Sequence, residues 1–423
     1  MPIPARLAKL LIRTGVVGLH PGVRKLMGDG IPFLKYYSSR VLEAPNEELS
    51  RTREAMDVKG DVIDLCLGAP PLLPELHAKL HELLVEEHAY PPVAGLQELR
   101  RAFAEKLHKD NALDVDPDRE LLIVNGVSQG LGLFLDTFLD PGESIALFDP
   151  GYFMHRLAAQ HRRLKLRFVP TTLENGWLRF DERSLAKSLR GSRALLINSP
   201  SNPTGGVLDQ HDVERIAYWC KRRDVLIFSD EVYEHFQYKE RSKNIAALDD
   251  ASRRTISAFS FSKTYGMAAY RVGVIHAEHW LLRPMIVSML ASTPFVPSAV
   301  QRLALAALSL PIEAIFRRWD EFRRRRDRAF NIFQCHGRTI EAPGGGFFCW
   351  IPIADLHVPA HELCLELRSR AGVAAMPGES LALDGRKFIR LSFAESPGVW
   401  EEGFTRVARI LADWRGKRSS KAA

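Results

Sequence analysis

Short apolar segments alternate with amphipathic segments through the middle of this sequence, from about residue 120. The apolar segments are nearly continuous, which is typical of strands buried on both faces of a parallel sheet. Amphipathic stretches such as DQHDVERIAYWCKRR (residues 209–223) separate most of them and indicate covering helices. The segments are ELLIVNG, SIALFDP, ALLINSP, VLIFSDE and TISAFSF, which begin at residues 120, 144, 194, 225 and 255. The pattern predicts an α/β fold with a mostly parallel sheet flanked by helices.

A length of 423 residues exceeds what one hydrophobic core usually supports, so two domains are expected. After Pro297 the sequence predicts one long helix to residue 330, with Pro311 as a place where it can kink. The strand candidates GGFFCWI, GVAAMPG and KFIRLSF follow and indicate a smaller α+β domain. The predicted boundaries are an N-terminal extension at 1–45, the small domain at 46–85 and 325–415, the large domain at 86–324, and a disordered tail at 416–423.

Net charge, apolar runs and cysteine spacing indicate which classes of partner and site are not expected. The formal net charge is +7, but the arginines are dispersed, and the densest cluster, at residues 317–330, is typical of a solvated helix face. Nucleic acid is therefore not an expected partner. The sequence has no apolar run long enough to span a bilayer. Its five cysteines are widely spaced without a CxxC pair, which favours reduced thiols in the cytoplasm and predicts neither disulfides nor a metal site.

The N-terminal 28 residues carry five lysines and arginines and no acidic residue before Asp29. Their short apolar run is interrupted by charge, which does not fit a cleaved signal peptide. A basic amphipathic arm that packs on the body or on a partner is the first interpretation, and contact with a membrane surface is the second.

Polar side chains follow the predicted strands, at the edge where an open α/β sheet binds its ligands. They are Ser128, Tyr152, Asn202, Asp230, Tyr233 and Lys263. If Asp230 faced a heterocyclic nitrogen, it would keep that nitrogen protonated, and a protonated pyridine is the electron sink of pyridoxal phosphate. Lys263 would then form the Schiff base, since burial near Arg271 lowers the pKa of an amine. The alternatives are a helix cap or ion pair for Asp230 and a surface cation for Lys263.

The same region of sequence offers binding groups for an anion and a planar ring. NGVSQG is a glycine turn before a helix, where free N–H groups favour a phosphate, and Ser260, Ser262 and Arg271 can add to it. Tyr152 can stack on a ring, and Asn202 and Tyr233 can bind its phenolate oxygen; ordinary structural roles are the alternatives. Arg390, within the apolar strand FIRLSF, requires an anionic partner, either a substrate α-carboxylate or an internal salt bridge.

In this order, the motifs resemble those of the class I and II aminotransferases, which are fold-type I pyridoxal phosphate enzymes. The motifs are NGVSQG, DPGYF, NSPSNPTGG, SDEVYEHF, SFSKTYGMAAYRVG and FIRLSF, and the resemblance extends from Leu65 to Ala394. The sequence departs from the family in two places. GAPPL stands where members often have GEPDF, and STPFVPSAVQ lacks the arginine with which the aspartate-specific branch binds a second carboxylate. Dicarboxylate specificity is therefore not predicted.

The resemblance implies a role for each matching residue. Lys263 would be the Schiff-base lysine and proton carrier, and Asp230 the partner of the pyridine nitrogen. Asn202 and Tyr233 would hold the ring oxygen, and Tyr152 would stack on the ring. The phosphate would be bound by Val127, Ser128, Ser260, Ser262 and Arg271. Arg390 would bind the substrate α-carboxylate next to the backbone of Gly68, and Tyr90 would reach the phosphate of a partner subunit, which implies a homodimer with shared sites.

The activity implied is the transfer of an amino group between an L-amino acid and a 2-oxo acid, with ping-pong kinetics. The same cofactor residues could serve a lyase, a cyclising synthase or an oxidase of specialised amino-acid metabolism. A non-catalytic regulator that binds the cofactor is a remote third possibility, because no helix-turn-helix spacing precedes the matching region.

Overall fold

The computed structural model describes residues 62–80, 90–248 and 250–419. Thirteen strands and twelve α-helices lie in these ranges, besides several single turns of 3₁₀-helix. The strands are β1 Ile63–Asp64, β2 Leu121–Val124, β3 Ser144–Asp149, β4 Lys165–Glu174, β5 Trp177–Phe180, β6 Ala194–Asn198, β7 Leu226–Asp230, β8 Thr255–Ser260, β9 Gly273–His276, β10 Phe348–Pro352, β11 Val373–Ala374, β12 Met376–Pro377 and β13 Phe388–Ser392. The helices are α1 Pro74–Lys79, α2 Gln97–Asn111, α3 Val127–Phe138, α4 Phe153–His161, α5 Glu182–Leu189, α6 Gln210–Arg223, α7 Phe261–Thr264, α8 His279–Leu290, α9 Ser298–Leu308, α10 Ile312–Cys335, α11 Ala360–Ala371 and α12 Val399–Ser419.

Eight strands form the central sheet, in the order β2-β9-β8-β7-β6-β3-β4-β5. Strands β4, β3, β6, β7 and β8 run parallel, while β9 is antiparallel to both of its neighbours and β5 is antiparallel to β4. The predicted fold class is confirmed. The parallel strands place their carboxyl ends at one edge, which gathers the polar side chains that follow them.

The central sheet is covered on both faces. Ala194 and Leu196 of β6 belong to one apolar cluster, with α3 and α8, whereas Leu195 and Ile197 belong to another, with α5 and α6. This division follows from the strand, because successive side chains point to opposite faces. Burying each large apolar side chain stabilises the fold by about 1.5–3 kcal/mol. The doubly covered sheet thus gives a rigid base for the residues at its edge.

A second region contains two small sheets. Strands β10, β13 and β12 form an antiparallel sheet in which β13 is central, and β1 pairs with β11 in parallel. Arg390 lies on β13, opposite Trp350 and Met376. Leu73 and Leu76, at helix α1, pack instead beside the large sheet. The predicted domain boundaries stay a prediction, and the N-terminal extension at 1–45 lies outside the described residues.

Helix α12 continues to Ser419, so residues 416–419 of the predicted tail are helical rather than disordered. Extending an existing helix adds one hydrogen bond per residue, and arginine and lysine are good helix formers. Residues 420–423 of that tail lie outside the described residues.

The predicted long helix is two helices. α9 ends at Leu308, α10 begins at Ile312, and the two are bent by 85°. Pro311 precedes α10 with an extended backbone (φ −56°, ψ 140°), and without an N–H it cannot donate a hydrogen bond that would continue α9. No single helix of the described residues is long and apolar enough to cross a membrane; α9 and α10 pass that test of length and composition only as a bent pair.

The basic segment of α10 is not wholly a solvated face. Arg318 and Arg325 are 7% and 6% exposed, and they donate to the carbonyl oxygens of Pro71 and Phe393 respectively. Their long aliphatic stems and multiple donors make such burial tolerable. Other cations of this segment form ion pairs either along the helix, as Arg323 does with Asp320, or with acids of other helices, as Arg328 does with Glu401.

Candidate active site

The edge of the central sheet brings most of the predicted site residues together. Asp230 ends β7, Asn202 follows β6, and Lys263 lies on the single turn α7 directly after β8. Arg390 enters from β13 and donates from Nη1 to Asn202 Oδ1 at 2.7 Å. The two sheets therefore meet at these side chains.

Asp230 is 5% exposed, and its Oδ2 lies 2.9 Å from His155 Nε2. Its Oδ1 accepts from the backbone N–H of Val232 at 3.3 Å. His155 Nε2 is therefore a donor, since the carboxylate only accepts. His155 is not among the residues predicted from the sequence, although it lies three residues after Tyr152, in the first turn of α4. Asp230 is neither a helix cap nor solvated, and a buried carboxylate held by a single histidine can orient a further cationic group.

Lys263 Nζ donates to the carbonyl oxygen of Gly68 at 2.5 Å and lies 5.9 Å from the centre of the Tyr233 ring. The pKa of Lys263 is lowered to about 8. Burial is the main cause, the charges of Arg390 and Arg271 add to it, and the charge of Asp230 opposes it. An amine with this pKa is partly neutral near neutral pH, as a nucleophile or proton carrier must be. The surface-cation alternative does not fit this environment.

This electrostatic environment predicts the reactivity of Lys263 in the cofactor-free protein. Its amine should react with acetic anhydride at a rate that rises with pH through a midpoint near 8, because only the neutral form reacts. Arg390→Gln removes a neighbouring positive charge and should raise the midpoint. Quantitative mass spectrometry of the Lys263 peptide measures both; a midpoint near the ordinary lysine value of about 10.4 would contradict the account.

Arg390 is buried, with 3% exposure. Besides Asn202, it donates to the Cys66 carbonyl oxygen, and its guanidinium lies 4.4 Å from the centre of the Phe348 ring. Its Nε has no hydrogen-bond partner, and no carboxylate of the described residues forms an ion pair with it. The internal salt bridge considered from the sequence is thus missing from the described part of the chain, and the guanidinium remains suited to an anionic ligand.

Asn202 connects Arg390 to Tyr233. Its Nδ2 donates to the Tyr233 hydroxyl oxygen at 3.4 Å, while its Oδ1 accepts from Arg390. Burial raises the pKa of the Tyr233 hydroxyl, which therefore stays a neutral donor. The amide and the hydroxyl can together bind an oxygen of a ligand placed between the two sheets.

The amino terminus of α3 forms a cradle for an anion. Gly126, with φ +76°, precedes the helix, and a Cβ there would lie 2.4 Å from Arg271 Nη2, so this guanidinium lies directly against the helix start. Val127 and Ser128 open the helix, where the first N–H groups have no intrahelical acceptor. These N–H groups, the helix dipole and the guanidinium together favour a phosphate.

Two serines border this cradle. Ser260 caps α7, because its Oγ accepts from the backbone N–H of Ser262 at 3.0 Å. Ser262 is 5% exposed and next to Lys263 in sequence. The Ser260 hydroxyl hydrogen is free to donate to a ligand while its oxygen accepts.

Tyr152 lies beside the Asp230–His155 pair. Its ring centre is 5.3 Å from that of His155, at an interplanar angle of 87°. Burial raises the pKa of its hydroxyl. One face of the ring can therefore stack on a planar ligand next to Asp230.

Gly68 lies next to Lys263, whereas Tyr90 lies on the surface of the chain. A Cβ on Gly68 would lie 2.6 Å from Phe348 Cζ, so only glycine lets this backbone approach Lys263 so closely. Tyr90 forms no hydrogen bond with the other predicted site residues described; its ring is 85% exposed and stacks on Phe295 at 5.0 Å. The structure therefore places Gly68 in the site and leaves Tyr90 on the surface of the single chain.

Comparison with known proteins agrees with this geometry. A model of the family described as aminotransferase class I and II matches residues 60–406. The chain belongs to the class I and II aminotransferases.

Two curated relatives and one solved structure illustrate the similarity. This aminotransferase is 32% identical over 374 residues to an aspartate aminotransferase of Pyrococcus abyssi, covering 86% of this chain and 96% of that protein. It is 31% identical over 366 residues to aromatic-amino-acid aminotransferase 2 of Thermococcus litoralis, covering 85% and 94%. The crystal structure of an aromatic aminotransferase from Pyrococcus horikoshii is similar at a TM-score of 0.79 and 31% identity, covering 87% and 99%.

These relatives favour transamination over the lyase, synthase, oxidase and regulator alternatives. Class I and II aminotransferases are pyridoxal phosphate enzymes, so the predicted cofactor is confirmed at the level of the family. The residues present fit that group: the cradle at Gly126 and Arg271 suits its phosphate, and the buried Asp230 carboxylate suits its ring nitrogen.

Proposed function

We propose that this aminotransferase moves an amino group between an L-amino acid and a 2-oxo acid, with Lys263 as the residue that carries the proton. The observation that carries the proposal is the Lys263 amine itself, whose pKa is lowered to about 8 and whose Nζ lies at the junction of the two sheets. A neutral amine there can take a proton from a substrate Cα and return it to a neighbouring carbon.

The cofactor would be held by residues at three sides of the site. The α3 amino terminus with Val127 and Ser128, together with Ser260, Ser262 and Arg271, would bind the phosphate. Asp230, oriented by His155, would keep the ring nitrogen protonated, Tyr152 would stack on the ring, and Asn202 and Tyr233 would bind its oxygen. Pyridoxal phosphate supplies an aldehyde that condenses with amines and a pyridinium ring that withdraws electrons from the substrate Cα.

Arg390 would bind the substrate α-carboxylate. Its buried guanidinium already lies next to Asn202 and above the Phe348 ring, which fixes its direction before the substrate arrives. An incoming carboxylate would gain charge-assisted hydrogen bonds from a cation that has no described carboxylate partner. The carboxylate would thus orient the substrate Cα towards Lys263.

The choice of amino donor is the part that the motifs leave open. The relatives named above are an aspartate and aromatic-amino-acid aminotransferases. The segment STPFVPSAVQ, at residues 292–301, contains no arginine for a second carboxylate. Its one aromatic residue is Phe295. Initial rates over a panel of L-amino acids with several 2-oxo acids test the proposal, and parallel lines in double-reciprocal plots are expected for a ping-pong reaction.

We also propose a cytoplasmic homodimer with shared sites. The position of Tyr90 supports it: the residue is 85% exposed in the single chain and its ring stacks on Phe295, so it is available to a partner subunit. The five cysteines are free thiols, which suits a reducing compartment. Light scattering should give a mass about twice the 47.7 kDa of the chain; a mass of one chain at micromolar concentration would contradict the dimer.

A further inference from the structure

The turn that carries Lys263 depends on contacts from outside itself. Helix α7 has only four residues, and a single helical turn is not stable in isolation. Ser260 caps the start of the turn. Tyr265 directly follows the turn, and its carbonyl oxygen accepts from the N–H of Leu73 at 3.2 Å. The position of Lys263 Nζ is therefore set by the groups that hold this turn.

One of these groups is His235, two residues after Tyr233. Its Nδ1 lies 3.1 Å from the Oγ1 of Thr264, the residue next to Lys263, and its Nε2 lies 3.3 Å from Asp110 Oδ2. Because the carboxylate only accepts, Nε2 donates to Asp110, and Nδ1 forms the hydrogen bond with the Thr264 hydroxyl. Thr264 is 2% exposed, so water is not a ready replacement for this bond.

Asp110, on helix α2, belongs to a partly buried group of charges. Glu234 Oε1 lies 2.6 Å from Lys106 Nζ, and its Oε2 accepts from Arg241 at 3.1 Å and from Asn111 at 3.0 Å. Lys106 also lies 3.7 Å from Asp110. Two carboxylates, Glu234 and Asp110, thus face two cations, Lys106 and Arg241, and His235 lies against both carboxylates.

The electrostatics of this group keep both carboxylates ionised. Burial raises the pKa of Glu234, but Lys106, His235 and Arg241 outweigh it and bring that pKa down to about 2. Burial likewise raises the pKa of Asp110, and the hydrogen bond from His235 and the charge of Lys106 outweigh it. Glu234 and Asp110 therefore stay charged at neutral pH, and the ion pairs and hydrogen bonds around His235 persist there.

We propose that His235 is a positioning residue for the transamination reaction: through its hydrogen bond with Thr264 it ties the Lys263 turn to helix α2 and to the Tyr233 segment. The inference rests on the proposed role of Lys263. Three consecutive residues have three different roles: Tyr233 contacts Asn202 in the site, Glu234 binds Lys106 and Arg241, and His235 holds the turn.

The first test removes the hydrogen bond without changing shape. Thr264→Val is isosteric and is expected to lower kcat about 30-fold with KM changed less than about threefold, because a small misplacement of a reacting group costs up to about 10²-fold. Thr264→Ser keeps the hydroxyl and should restore most of kcat. His235→Phe should resemble Thr264→Val, and the double variant should be no worse than either, since both remove one interaction.

The second test uses cofactor-free protein. In Thr264→Val and His235→Phe, the pH midpoint for acetylation of Lys263 should move by about half a unit or more from about 8, because Nζ shifts relative to Arg390 and Asp230. His108→Phe is the matched control: His108 pairs with Asp114 at 2.6 Å on the same helix α2, with a 69% exposed side chain, and should change neither kcat nor the midpoint.

Two results would overturn the proposal. One is a lowered melting temperature with wild-type kcat and midpoint, which would make His235 structural only. The other is equal loss in Thr264→Ser and Thr264→Val, which would exclude the hydroxyl. Failure of the proposed function is distinguishable, because the acetylation midpoint would still move in a protein that catalyses another reaction.

Discussion

Lys263→Ala is expected to lower kcat by at least about 10⁴-fold, since it removes both the nucleophile and the proton carrier. Pyridoxal phosphate should still bind, more weakly and without covalent attachment, because Arg271 and the α3 amino terminus remain. Wild-type protein reduced with borohydride should carry the cofactor on the Lys263 peptide, and the variant should carry none. Stopped-flow rates measure the loss of kcat, and peptide mass spectrometry measures the cofactor attached to the Lys263 peptide.

The control for this experiment is Lys187→Ala, an exposed lysine on helix α5. It should leave kcat and the labelled peptide unchanged. Turnover of the Lys263→Ala variant within tenfold of the wild type, with cofactor saturating, would contradict the assignment of Lys263.

Asp230→Asn is expected to lower kcat/KM by about 10³-fold, which corresponds to about 4 kcal/mol of lost transition-state stabilisation. The amide keeps the size of the side chain and can still accept from Val232 N–H, but it carries no charge to hold a ring nitrogen in its cationic form. The loss should appear mainly in kcat once cofactor is saturating, as steady-state rates at several cofactor concentrations would measure.

Asp136→Asn is a matched control, because Asp136 is a half-exposed carboxylate whose partner is Arg162 on the surface. A surface pair contributes about 0–1 kcal/mol, so this variant should retain activity. If Asp230→Asn were as active as Asp136→Asn, the carboxylate would have no role in the electronics of the reaction.

Much of the fold could be predicted because its signals are local. The buried parallel strand Ala194–Asn198 begins with four consecutive apolar residues, and this property is visible without knowledge of its neighbours. The break before α10 was less visible, because a proline shows where a helix can kink but not whether the chain turns by 85° there. Direction after a break depends on packing against distant residues.

Site residues whose own side chain defines a chemical role could be predicted from the sequence. Residues that act by holding another side chain in place could not. Lys263, Asp230 and Arg390 follow from residue type, position after a strand and family resemblance. His155 and His235 act through hydrogen bonds to Asp230 and Thr264, which are 75 and 29 residues away along the chain. Such pairings arise only when the sheet brings separate segments together, so spacing along the chain does not show the partner, even where it places a residue such as His155 near the site.

A single turnover with ¹⁵N-labelled L-amino acids distinguishes transamination from elimination and oxidation. Protein loaded with pyridoxal phosphate and freed of excess cofactor is mixed with each amino acid without any 2-oxo acid, and the products are analysed by mass spectrometry. We expect up to one equivalent of the matching 2-oxo acid per chain, with ¹⁵N retained on the protein until an unlabelled 2-oxo acid removes it as a new amino acid. Release of ¹⁵N as free ammonia, without that retention, would contradict transamination.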